Sequence, residues 1–99
     1  MSYELRYSAA ARADIERLFA FLAQRDISAA RDALEAIDRT AELLREFPFA
    51  CRKADPQQPF LRELVIPLGG TGYVALFEID DEKTVTVLAL RHQREEDYH

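Results

Sequence analysis

From Ser8 onward the apolar residues of this chain stop alternating and begin to recur every third or fourth position. That change of period decides most of what the chain can fold into. Before it, Tyr3, Leu5 and Tyr7 alternate with Glu4 and Arg6, the pattern of a half-buried strand. Ser8 then stands where an N-cap belongs, its hydroxyl able to accept a free backbone N–H. Ala11, Ile15, Leu18, Phe19 and Leu22 fall on one stripe while Arg12, Glu16 and Arg17 face water, which predicts a helix from about Ala9 to Gln24. Arg25-Asp26-Ile27-Ser28 breaks it, with Asp26 or Ser28 as the next cap. A second helix gathers Ala30, Ala33, Leu34, Ile37, Ala41 and Leu44 and ends near Phe47, because Pro48 disfavours α conformation in the residue before it. Two helices joined so briefly make an antiparallel hairpin.

Residues 48–59 hold three of the four prolines without periodicity and are expected to form a loop. Phe60 to Ile66 follows as a strand stopped by Pro67, and Gly69-Gly70-Thr71-Gly72 turns the chain. Tyr73 to Ile79 is the next strand, and the acidic turn Asp80-Asp81-Glu82-Lys83 leads into a last one, Thr84 to Leu90. Short strands with tight polar connections form an antiparallel meander. The expected fold is therefore α+β, one domain over residues 1–99 in the order β-α-α-β-β-β. Its helical hairpin packs on one face of a mainly antiparallel four-stranded sheet. On the central strand Tyr73, Ala75, Phe77 and Ile79 share one side, and Val74, Leu76 and Glu78 the other. On the last strand Val85, Val87 and Ala89 stand opposite Thr84, Thr86, Leu88 and Leu90. Both faces carry apolar residues, more than a one-sided sheet requires. A partner segment on Val74, Leu76, Leu88 and Leu90 would cover the surplus; a helix end and the long loop are the other way to do so.

Ninety-nine residues with 48% apolar content suffice for one core. No run approaches the roughly 18 apolar residues of a membrane span, and no charged-then-apolar leader opens the chain. A soluble, unexported protein is expected, and Cys51, the one cysteine, suits a reducing cytoplasm. The net charge is −5: residues 1–47 carry seven Lys/Arg against nine Asp/Glu, and residues 48–99 six against nine. Such a chain lacks the global field that draws proteins to nucleic acid. The glycine cluster is followed by Tyr73 and a strand instead of a lysine and a helix, so it is a hairpin turn and not a phosphate loop. His92, His99 and Cys51 have no paired spacing, and the turn at Asp80 lacks the glycine and closing glutamate of a calcium loop. Neither metal nor cofactor is expected.

The ending is different. Arg91-His92-Gln93-Arg94-Glu95-Glu96-Asp97-Tyr98-His99 cuts off the apolar pattern and sets chemically capable side chains at one strand end. Ribonuclease chemistry without metal needs a base for the 2′-hydroxyl, an acid for the leaving oxygen and cations for the phosphate. His92 or His99, Tyr98 and the arginines offer those groups. The bland alternative is a solvated terminus in which Glu95, Glu96 and Asp97 pair with the same arginines.

With the order of elements, Arg62-Glu63-Leu64 and Gly72-Tyr73, this Arg91-His92-Gln93-Arg94-Glu95 block resembles the RelE/ParE family of bacterial toxins. The resemblance spans essentially the whole chain. It implies a toxin of a type II toxin–antitoxin, or plasmid-stabilisation, module that is neutralised by a cognate antitoxin wrapping it. The assembly would be a homodimer or a toxin–antitoxin heterotetramer. Two activities recur in such toxins: inhibition of DNA gyrase, and cleavage of messenger RNA on the ribosome. In the nuclease branch Gly-Tyr is typically followed by a phosphate-contacting arginine, where this chain has Val74, and that branch is strongly basic. The ending looks more like the ParE, gyrase-directed branch, with Arg91, His92, Arg94 and Tyr98 as target contacts. The alternative is an mRNA interferase using Arg62, Arg91, His92 and Tyr98. A third reading is a non-toxic remnant that only binds its antitoxin or itself.

Overall fold

A computed structural model of the chain describes residues 2–69 and 71–93. Strand β1 (Glu4–Tyr7) runs into helix α1 (Ala9–Ala23), and helix α2 (Ile27–Ala41) follows. Ser8 caps α1 as its position suggests, its Oγ accepting the Ala11 N–H at 3.1 Å. Of the two candidate caps for α2 the fold uses Asp26, whose Oδ1 accepts the N–H groups of Ser28 and Ala29. The α-helix stops at Ala41, earlier than expected. Its end tightens into a 3₁₀ turn at Glu42–Arg45, and Pro48, its φ already suited to a first helical position, opens a second at Pro48–Ala50.

The expected loop over 48–59 is the main departure. It contains strand β2 (Arg52–Asp55), which pairs antiparallel with β3 (Gln58–Leu68) through Arg52↔Glu63 and Lys53↔Arg62. The sheet therefore has five strands in the order β1-β5-β4-β3-β2, where β4 is Thr71–Ile79 and β5 is Thr84–His92. β1 lies parallel to β5, and the other pairings are antiparallel. Pro67 does not stop β3. It pairs with Gly72 of β4 beyond the reach of β2, where the strand has a single neighbour. A proline's missing donor is tolerated at such an edge. Leu68 pairs with Thr71, and Gly69 leaves β3 at φ 59°, a conformation that favours glycine.

A β-bulge sets the two faces of β5. Leu76 pairs with Ala89 and Phe77 with Val87, so Leu88 is the extra residue. One inserted residue reverses the alternation. Val85, Val87 and Leu90 therefore all belong to the core beneath the helices, while Ala89 lies across from Leu76 on the outer face. That corrects the expectation that Leu90 shares a face with Val74 and Leu76. The remaining core is Leu64, Ile66, Tyr73, Ala75, Phe77 and Ile79 under Ala11, Ala36, Ile37 and Leu44. Alanines at 30, 33, 36 and 41, all buried, give α2 a slim inner face.

β1 accompanies β5 only from Thr84 to Val87. Beyond that point Ser8 and the α1 segment take over the open edge. The Ser8 N–H donates to the Val87 carbonyl, Ser8 Oγ donates to the Leu88 carbonyl at 3.0 Å, and Asp14 Oδ2 accepts the Leu90 N–H at 2.9 Å. The start of α1 thus seals the strand that carries the Arg91-His92 pair.

Candidate functional site

Because successive side chains of a strand point to opposite faces, Arg91 and His92 part company. His92 stays on the helix side, where its ring meets Tyr73 edge-on with centroids 5.3 Å apart. Together with Asp14, Arg17, Leu18, Phe21 and Leu90, these rings line an open cleft of about 400 Å³. Asp14 is the buried acid of this region, 6% exposed, and Arg17 is its ionic partner.

Arg91 lies on the outer face and is not displayed. Its Nη2 is 3.5 Å from Glu63 Oε2, and Nη1 donates to the His92 and Gln93 carbonyls. Its side chain is only 13% exposed, and that of Glu63 14%. The second oxygen of Glu63 accepts Arg52 Nε at 3.0 Å, so one carboxylate from β3 joins cations of β2 and β5 across the sheet. Among the described residues the carboxylate beside Arg91 is that of Glu63; the acids at 95–97 lie outside the described residues.

Arg62 is spent differently again. Its Nε donates to the Pro59 carbonyl and its Nη1 to the carbonyls of Phe49 and Cys51, and the guanidinium sits 5.2 Å from the Phe49 ring centre. It ties the Pro48–Ala50 turn to β3. Arg62 pairs with Phe77 and His92 with Tyr73, four positions away along β4. At about 3.3 Å per residue that is a separation of roughly 13 Å along the sheet. The three described members of the nuclease set are thus split between the two faces, and the two that share the helix side, Arg62 and His92, stand well apart along it. Arg94, Tyr98 and His99 lie outside the described residues.

The expected partner-binding set is also redistributed. Val74 is fully buried and has no surface to offer a partner, and Leu90 is 8% exposed within the core. Leu76 and Leu88 are half-buried, whereas Val65, the β3 partner of Val74, is 40% exposed on the outer face. Sequence reasoning missed Val65 and Asp14. For Asp14 a signal existed: with Ala11, Ile15 and Leu18 it completes the helical stripe, and an acid inside an apolar stripe needs a buried partner.

Two further groups have perturbed acidity. Burial pushes the Tyr7 hydroxyl up, Asp38 and Glu42 add to this, and Arg45 opposes it. Burial likewise pushes up the Cys51 thiol, against the pull of Arg62. Among the described residues there is no group of three potential metal ligands, and no helix is long and apolar enough to cross a membrane.

A family model described as the ParE toxin of the type II toxin–antitoxin system parDE matches residues 5–97. Among solved structures the fold is similar to a chain of the chromosomal ParDE toxin–antitoxin system from P. aeruginosa. The two superpose with a TM-score of 0.70 at 17% sequence identity, over 92% of this chain and 96% of that one. At that identity the likeness establishes the fold. No curated protein matches the chain.

Proposed function

This chain belongs to the ParE toxin family of type II toxin–antitoxin systems, and from that premise we propose that it arrests growth by binding a protein target, DNA gyrase, and not by cutting RNA. The observation that carries this is the dispersal of the cations. Metal-free RNA cleavage relies on donors aimed beforehand at one phosphate. Here Arg62 is occupied by three backbone carbonyls, Arg91 by Glu63, and His92 lies on the opposite face from Arg91. The net charge of −5 and Val74 at the position of a phosphate-contacting arginine support the same view.

Family membership implies a cognate antitoxin as partner. On this proposal the antitoxin crosses the outer sheet face around Val65, Leu76 and Leu88, and toxin and antitoxin act together in the cytoplasm as a plasmid-stabilisation module. The terminal block supplies the target contact, with Arg94 and Tyr98 as its candidate anchors. Inducing the chain without its antitoxin tests this directly, with supercoiling, mRNA integrity and translation followed separately. Altered supercoiling with intact message is expected. Rapid A-site cleavage of mRNA, lost on Tyr98→Phe or His92→Ala, would overturn the proposal in favour of the interferase. Normal growth would leave a fold that only binds its antitoxin.

A further inference from the structure

At the end of the sheet far from His92, a cleft of about 290 Å³ opens beside the β4–β5 turn. Ile79, buried, and Tyr3 are part of its lining. One side is the edge-to-face pair Phe49 and Phe60, with centroids 6.0 Å apart. Both rings are left about half exposed, at 49% and 54%. The other side is Asp80-Asp81-Glu82.

Rings and acids make opposite demands on an occupant. Asp80 already accepts the Thr86 hydroxyl and Asp81 the Lys83 backbone N–H, but neither bond cancels a charge. An apolar ligand alone would lie against acids, and a metal ion held by them would leave both rings uncovered. A cation on an apolar stem satisfies both, because its methylenes cover the rings while its head meets the carboxylates. Size narrows the choice, since small-molecule sites start at about 300 Å³. A cleft at that lower limit suits one or two side chains and is small for a cofactor. The local cation Lys83 gives its backbone N–H to Asp81, and that bond helps to hold the Asp81 carboxyl below its ordinary range. Burial first, and then the Asp80 carboxylate, push the neighbouring Glu78 carboxyl up.

We propose that this cleft receives an arginine or lysine side chain from a basic, amphipathic segment of the cognate antitoxin. The inference rests on the toxin–antitoxin reading above and adds the chemistry of the partner. A chain of net charge −5 favours a cationic partner through its whole field. A second copy of the chain would bring that same negative charge against these acids.

The test uses the complex with the antitoxin encoded in the neighbouring reading frame. Its affinity is measured at low and high salt for the wild-type chain, Glu82→Lys, Phe60→Ala and, on the outer face of α1, Glu16→Lys. Glu82 and Phe60 are both exposed, so each variant should still fold, with Phe60→Ala losing only the edge contact to Phe49. Glu82→Lys should weaken binding about tenfold at low salt, with the gap closing as salt screens the charge. Phe60→Ala should cost about tenfold at both salt concentrations, and Glu16→Lys nothing. Unchanged affinity in both cleft variants overturns this proposal while leaving the toxin–antitoxin reading standing. If the variants instead abolish self-association of the toxin and spare the antitoxin, the occupant is a second copy and the proposal fails. If the wild-type chain forms no complex at all, both fall together.

Discussion

The Asp14 carboxylate accepts the backbone N–H of Leu90 at 2.9 Å, joining helix α1 to the strand edge that β1 has left uncovered. Removing it strands a buried donor, and an unmet buried group costs about 1–3 kcal/mol. Asp14→Ala should therefore lower the unfolding free energy by roughly that amount, and Asp14→Asn, which keeps an acceptor, by less. Equal stability of Asp14→Ala and wild type in urea unfolding would show that the bond carries no weight. Hydrogen exchange at Leu90 should quicken in the alanine variant and only slightly in the asparagine one.

Phe77 is fully buried at the centre of the core, whereas Leu18 is only half-buried beside it. Phe77→Ala should cost about 3–5 kcal/mol by lost transfer energy and cavity formation. Leu18→Ala should cost clearly less, although both residues lie on predicted core stripes. A larger loss at Leu18 than at Phe77 in denaturant titrations would contradict this packing.

Gly72 sits where a Cβ would come within 2.7 Å of Gln93 Oε1 and 3.0 Å of the Ile66 carbonyl. The glutamine can swing aside, but the carbonyl belongs to the β3 backbone. Gly72→Ala should destabilise by about 1–3 kcal/mol, as overpacking does. Gln93→Ala should recover only part of that loss. Full recovery in the double variant would mean that β3 yields freely.

How far the sequence alone reaches is clear from where it stopped. Ser8, the two helix stripes and the faces of β4 were legible because each is a local pattern whose period matches its element. Strand β2 was not: Arg52-Lys53-Ala54-Asp55 has no apolar alternation, and its pairing with β3 supplies what its side chains do not announce. The bulge at Leu88 was equally hidden, since counting in twos cannot see an inserted residue. It alone moved Leu90 from the outer face to the core. At the candidate site the residue types were readable but their grouping was not. Neighbours in sequence, Arg91 and His92, are on opposite faces of the sheet, and an ionic partner of Arg91, Glu63, comes from a strand nearly thirty residues earlier.

Alkali should weaken the fold through two groups. Tyr7 and Cys51 both have folded pKa values raised above their ordinary 10.0 and 9.0. Between the unfolded and folded values the native state holds protons that the unfolded chain has released. The stability these protons confer is fully present below the ordinary values and is lost as pH rises through the raised ones. Unfolding free energy should start to fall above about pH 9, and Tyr7→Phe should flatten the later part of that decline. A Tyr7→Phe variant with an unaltered alkaline profile would remove Tyr7 from the account.

The last test separates folding from target contact at the chain's end. Arg91 belongs to the fold, with its side chain mostly buried against Glu63. Arg91→Ala should cost about 1–3 kcal/mol by depriving a largely buried carboxylate of one cation. A double-mutant cycle with Glu63→Ala should give a coupling of about 0.5–3 kcal/mol. Loss of growth arrest in Arg91→Ala therefore says nothing about target contact. Truncation after Gln93 is the cleaner experiment, because it leaves all of β5, Thr84–His92, in place. If the terminal block contacts the target, the truncated chain should still unfold cooperatively and bind its antitoxin while no longer arresting growth or altering supercoiling. Arrest by the truncated chain at wild-type potency would rule out Arg94 and Tyr98 as target contacts and turn the search to the outer sheet face around Val65 and Leu76.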